Sequence, residues 1–153
     1  MKISPSKLNM FTLFKLPSAY FCGVRAKVLN DQQCITTVKH RWINQNPFKS
    51  MFWAVQGMAA EFSTGAMMLI KIRGSGKKVS MLVISNTAKF IKKATGRITF
   101  VCNDGDKIDH ALAEAIKTGE GQTIWLESVA TNKEGEVVST FKFEWSIKVK
   151  GSK

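Results

Sequence analysis

Cysteine is scarce in this sequence and poorly spaced for chemistry. Cys22, Cys34 and Cys102 are the only three, far apart and with no CxxC pair among them. That pattern excludes a disulfide framework and a structural zinc site. It reads as reduced, packed thiols in a cytoplasmic protein. Histidine is scarcer still: His40 and His110 stand alone, without HxxxH spacing, so no metal site is expected. Repeats, low-complexity tracts and linkers are also missing. The 153 residues therefore read as one domain spanning 1–153. The start, Met1 to Pro5, lacks an apolar run followed by a small-residue cleavage pattern, so no leader peptide is expected.

Acidic residues are few: 11 Asp+Glu face 23 Lys+Arg, for a net charge of +12. Such a field favours anionic partners, whether nucleic acid, an anionic membrane or a small phosphorylated ligand, without choosing among them. A nucleic-acid binder is disfavoured, because no recognition helix, RNA-binding signature or basic–aromatic platform is evident.

What is present is an ordered series of patterned segments. Ser4 and Pro5 suit the cap and first position of a helix over 5–16, with Leu8, Phe11 and Phe14 as its apolar stripe and Thr12 off it. Pro17 is expected to stop that helix. Val24, Ala26 and Val28 alternate with Arg25 and Lys27. A β-branched run from Gln33 to Ile43 follows the Asn30-Asp31 turn, and the two read as a hairpin. Val79–Lys93 and Arg97–Asn103 read as a second strand pair. Asp106 is placed to cap a helix running to Thr118 before Gly119 and Gly121. Thr123–Thr131 and Val137–Lys150 close the chain as a hairpin across Asn132–Gly135. In the last strand Phe141, Phe143, Trp145, Ile147 and Val149 alternate strictly with polar residues. The order lacks the βαβα alternation of a parallel sheet.

The segment from Ser50 to Ile70, SMFWAVQGMAAEFSTGAMMLI, is too long and too rich in Ala and Met for a strand. It is apolar nearly all round, so as a helix it must be buried on most sides. A membrane span is disfavoured. Glu61 would sit mid-bilayer, Gln56, Gly57, Ser63, Thr64 and Gly65 dilute the apolar run, and the strands need something to cover them. The class expected is α+β: a long central helix over about 50–70 wrapped by a curved antiparallel sheet of about six strands, the hot-dog arrangement.

The residues from Asn46 to Glu61, NPFKSMFWAVQGMAAE, resemble the start of the central helix in hot-dog thioesterases. In the phenylacetyl-CoA thioesterase group an Asn precedes that helix, a His-Gly-Gly follows it, and a carboxylate comes about two and a half turns in. Asn46 and Glu61 match the first and last of these. The wider pattern, from Gly23 through the hairpin and on to Gly65, resembles an uncharacterised branch of the superfamily described as a domain of unknown function. The chain departs from the thioesterase group at Phe52-Trp53-Ala54, where that group carries His-Gly-Gly and brings a backbone N–H to the thioester carbonyl.

The resemblance implies hydrolysis of an acyl-CoA or acyl-carrier-protein thioester, with coenzyme A entering as part of the substrate and no resident cofactor. It also implies a homodimer, or a tetramer of two dimers. Glu61 then acts as base or nucleophile, and Asn46 bonds the carbonyl or holds the water. Phe52, Trp53, Ala54, Gly57 and Gly65 line the substrate. Ala54, Gly57, Glu61 and Gly65 follow one helical line, leaving room beside the carboxylate. A Glu in so apolar a helix should have a raised pKa, suited to base chemistry near neutrality. Each residue has a plainer reading: Glu61 paired with a Lys or Arg at a dimer seam, Asn46 a turn residue and helix cap. A binding module without turnover is the alternative function. His40 is expected as a satisfied, partly buried strand residue and His110 as a surface one. Gly74 to Lys78 lacks P-loop spacing and reads as a solvated basic turn that can also meet coenzyme A phosphates.

Overall fold

A computed structural model describes residues 3–151; Met1, Lys2, Ser152 and Lys153, the ends of the expected 1–153 span, lie outside the described residues. In chain order the elements are α1 (Pro5–Lys15), α2 (Pro17–Phe21), β1 (Arg25–Leu29), β2 (Cys34–Lys39), a 3₁₀ turn (Trp42–Asn44), α3 (Trp53–Gly74), β3 (Val79–Phe90), β4 (Arg97–Cys102), α4 (Gly105–Thr118), β5 (Gln122–Thr131) and β6 (Val137–Val149).

The six strands form one antiparallel sheet in the order β1-β2-β4-β5-β6-β3. Its inner face curls around α3, which packs on β1, β2, β4, β5 and β6. The period-two run of β6 sets this up: Phe141, Phe143, Trp145 and Ile147 are all buried against the helix. On α3, Val55, Ala59, Ala60, Phe62, Ala66, Met67 and Met68 are buried in return. A helix apolar nearly all round has no hydrophobic stripe to set its rotation, and four buried polar ties do so instead. Thr36 Oγ1 donates to the Ala59 carbonyl at 2.8 Å, Ser63 Oγ to Ser128 Oγ at 2.8 Å, Ser139 Oγ to Gln56 Oε1 at 2.8 Å, and Trp145 Nε1 to Thr64 Oγ1 at 3.1 Å.

Several expectations are corrected. The second strand ends at Lys39, not Ile43, because buried Asn44 pulls the chain into the 3₁₀ turn. Its Nδ2 donates to the carbonyls of Cys22 and Lys39, and its Oδ1 accepts from the Arg41 N–H at 2.8 Å. Trp42, expected on a strand face, is 82% exposed. The long helix runs over Trp53–Gly74 instead of 50–70. It starts late because residues 45–52 fold back as a turn closed by a Gln45–Met51 bridge and pinned from outside: the Met51 N–H donates to the Ala94 carbonyl at 2.8 Å and the Phe52 N–H to the Asn44 carbonyl at 2.9 Å.

β3 does not pair with β4. It pairs with β6, and β4 inserts between β2 and β5. In α1 the buried positions are Leu8 and Thr12, whereas Phe14 is 72% exposed; the Thr12 hydroxyl is satisfied by donating to the Leu8 carbonyl at 2.7 Å. Pro17 ends α1 but also opens α2, sitting in its first turn. α4 begins at Gly105, so Asp104, not Asp106, stands at its cap position. The Asp104 carboxylate is engaged by Lys107 and by the Glu127 N–H.

Candidate active site

Most of α3 is buried, and the exceptions line up. Ala54, Gly57, Met58, Glu61, Gly65 and Leu69 are half-buried, at spacings of three and four, so one stripe of the helix is left uncovered by its own sheet. The expected line of Ala54, Gly57, Glu61 and Gly65 is this stripe.

One cleft opens on this stripe and a second at the start of the helix. The smaller, about 140 Å³, is walled by Phe11, Leu16, Phe62, Ala66, Leu69, Met81 and Trp145, and holds Glu61 and Gly65. The Glu61 carboxyl faces an almost wholly apolar wall. Within the chain no ion pair engages it among the described residues. Burial pushes its pKa above the usual carboxylate range. Gly65 stands against it: a Cβ there would meet Glu61 Oε1 at 3.3 Å and Trp145 Cη2 at 3.2 Å. Met81 and Trp145, from the sheet, and Phe11 and Leu16, from the N-terminal helices' side, were not expected at the site. Trp145 stood at an inward position in the strict alternation of β6, and Phe11 on the apolar stripe of the first helix. Nothing local tied either of them to Glu61.

The larger cleft, about 480 Å³, lies at the start of α3, between the loop from Asn46 to Trp53 and the segment Phe90–Ala94. Asn46, Phe52 and Trp53 line it, joined by Gln56. Asn46 is not a helix cap, being seven residues before Trp53. Its side chain organises the loop instead. Oδ1 accepts from the N–H groups of Phe48 at 2.9 Å and Ser50 at 3.2 Å, and Nδ2 donates to Ser50 Oγ at 3.0 Å. Phe52 precedes the helix without a side-chain cap, and the N–H groups of Trp53 and Ala54 have no partner among the described residues. Two free donors at the positive end of a helix can polarise a carbonyl whatever side chains they carry.

Asn46 and Glu61 therefore do not share a cleft in one chain. From Ala54 to Glu61 is seven residues, about 10 Å along the axis, while a reacting carbonyl must lie within about 3 Å of both donor and base. Ala54 and Gly57 line neither cleft; Gly57 packs toward Phe141. His40 is half-buried as expected, but it is not satisfied: its buried Nε2 lacks a partner among the described residues. His110 is exposed. No His, Cys, Asp and Glu cluster suited to a metal is found among the described residues. No helix there is long and apolar enough to cross a membrane.

The profile of a family described as "Domain of unknown function (DUF4442)" matches residues 7–147. The chain belongs to the DUF4442 family. A comparison with curated proteins finds no match. Among solved structures, a Pseudomonas aeruginosa protein named "Probable Thioesterase" is 23% identical. It covers 95% of this chain and 97% of its own, with a TM-score of 0.80. A protein of unknown function from Chlorobaculum tepidum is 19% identical over 95% of this chain and 96% of its own, also at 0.80. A Haemophilus influenzae thioesterase is 11% identical over 97% and 93%, at 0.75. These likenesses establish the hot-dog fold for this DUF4442 protein.

Proposed function

We propose that this DUF4442 protein hydrolyses thioesters of coenzyme A or acyl carrier protein. The observation that carries the reading is Glu61, a carboxyl without an ion-pair partner among the described residues, in an apolar cleft on the uncovered stripe of the central helix. The names of the P. aeruginosa and H. influenzae structures agree with it.

In this reading the Glu61 carboxylate takes a proton from water. The hydroxide so formed adds to the thioester carbonyl, whose oxygen is held by the N–H groups of Trp53 and Ala54. The C–S bond then breaks and the leaving thiolate takes up the proton. Glu61 can equally attack the carbonyl itself, breaking the C–S bond and expelling the thiolate to leave an anhydride, which water opens to the free acid and the Glu61 carboxylate. A raised pKa makes the carboxylate a stronger base, and activity climbs with pH as it ionises. Asn46 serves as a positioning residue, shaping the loop that presents Phe52 and Trp53. Gly57 leaves room along the stripe, and Gly65 leaves room beside the carboxylate. Coenzyme A comes with the substrate and the reaction needs no other cofactor, which suits a cytoplasmic protein.

The ~10 Å between the donors and the base is closed by a second copy. A homodimer that packs stripe on stripe, antiparallel, sets the helix start of one protomer against Glu61 of its partner. β3, an edge strand with Leu82 and Ile84 exposed, offers a seam for that pairing. Two such dimers would give a tetramer.

The bulk of Trp53 at the helix start favours one second reading, acyl-CoA binding without turnover. Release of free thiol from a panel of acyl-CoAs separates the two. Hydrolysis by the native protein, lost in Glu61→Ala while the melting temperature is kept, supports the enzyme. Calorimetric binding without thiol release supports the module. Full turnover by Glu61→Ala sinks the role given to Glu61.

A further inference from the structure

Charge is segregated along this chain. Sixteen of the 23 Lys and Arg precede residue 104, against two of the 11 acids, Asp31 and Glu61. No acidic residue at all lies between Glu61 and Asp104, or between Asp31 and Glu61. The loops that frame the larger cleft come from these acid-free stretches, and hydrogen bonds zip them into one surface. Met51 bonds Ala94, Phe52 bonds Asn44, and Lys93 Nζ donates to the Phe48 carbonyl at 3.1 Å.

That surface is apolar at its tips. Trp42 is 82% exposed, Phe48 71%, Ile91 59% and Ile43 54%. Lys49 and Lys93 are exposed among them without an ion pair among the described residues, while Lys92 pairs with Glu136. Lys49 is also the one non-glycine with positive φ among the described residues, at 60°. A glycine or asparagine would sit there with less strain, and a long cationic side chain held in such a conformation points to a use for the charge.

We propose that this face docks on the surface of an anionic phospholipid bilayer. Trp, Phe and Ile side chains on short loops enter the interface, and lysines beside them meet the phosphate groups. A second copy of the chain, itself carrying a net charge of +12, complements Lys49 and Lys93 less well than an anionic surface does. The docking does not depend on the thioesterase reading.

Co-sedimentation with phosphatidylcholine–phosphatidylglycerol vesicles, against vesicles of phosphatidylcholine alone, tests it. The native protein should pellet with the anionic vesicles only. Lys49→Gly relieves the backbone while removing the charge, so it should keep or raise the melting temperature yet bind roughly fivefold more weakly. Trp42→Ser combined with Phe48→Ser should weaken binding by at least about tenfold, with the fold checked by circular dichroism. Failure to pellet at low salt overturns the proposal. So does binding indifferent to the double substitution, which would reduce it to net charge. Sedimentation velocity showing that the double variant splits a dimer would assign the face to a second copy. Retention of poly(U) that the same variants abolish would assign it to nucleic acid.

Discussion

Gly65→Ala separates chemistry from stability at the proposed site. Gly65 lies one turn beyond Glu61, and a methyl there would stand 3.2 Å from Trp145 Cη2 and 3.3 Å from Glu61 Oε1. Both approaches are a few tenths of an ångström too close, so something must yield. The indole is held, since its Nε1 donates to Thr64 Oγ1 at 3.1 Å inside the core. The carboxyl, at the end of a flexible chain, is what moves. Replacing a helical glycine by alanine contributes about 1 kcal/mol, and mild overpacking costs about 1–3 kcal/mol. With the carboxyl free to swing, the net change should stay within about 1 kcal/mol. That is a melting-temperature shift of roughly 2–4 °C for a chain of this size. A displacement of the reacting group by about 1 Å lowers turnover by about 10²-fold. The assay is thiol release measured beside a thermal melt. A large loss of kcat/KM with a near-native melt is expected. Native kcat/KM with a native melt would refute the placement of the Glu61 carboxyl at the reacting centre.

Two further perturbations probe the fold. Burial raises the Glu61 pKa, so its contribution to stability is fully present below the ordinary value of 4.5 and is lost as pH rises through the folded value. Glu61→Gln should therefore melt with the native protein in acid and above it toward neutrality. Parallel melting curves across pH would contradict that environment. At the start of α4, a Cβ on Gly105 would run into the Asp31 carbonyl oxygen and lie 2.7 Å from Gln32 Cα. Both are backbone, and neither yields as a side chain would. Gly105→Ala should cost about 2–4 kcal/mol and lower the melting temperature by about 5–15 °C, read by calorimetry.

Much of this architecture was legible from local pattern. The alternation in β6, the apolar length of α3 and the turn at Asn132–Gly135 each point to one element, and all three elements are present, α3 with its bounds displaced to Trp53–Gly74. Strand partnership was not legible, because alternation in Val79–Phe90 says which side chains share a face and nothing about which strand lies beside them. The start of α3 was misread for a similar reason. Residues 50–52 are apolar enough for the helix, and only the long-range bonds to Asn44 and Ala94 keep them out of it. At the site, the helical line through Glu61 could be read from spacing alone. That Asn46 and Glu61 open into separate clefts could not, since it depends on residues from α1, β3 and β6 that no local window contains.

The four polar ties on α3 bear on how the protein tolerates change. A helix coated in alanine and methionine could turn in its groove and still bury a similar area, because its sides are nearly equivalent. Gln56, Ala59, Ser63 and Thr64 remove that equivalence: any other rotation strands a hydroxyl or amide in the core without a partner. These contacts therefore act as an angular stop. They decide which stripe looks outward, and thus whether Glu61 faces the smaller cleft or disappears into the sheet. Substitution at Ser63 or Ser128, neither of which lines a cleft, should show itself as a change in the aim of the carboxyl before it shows as unfolding.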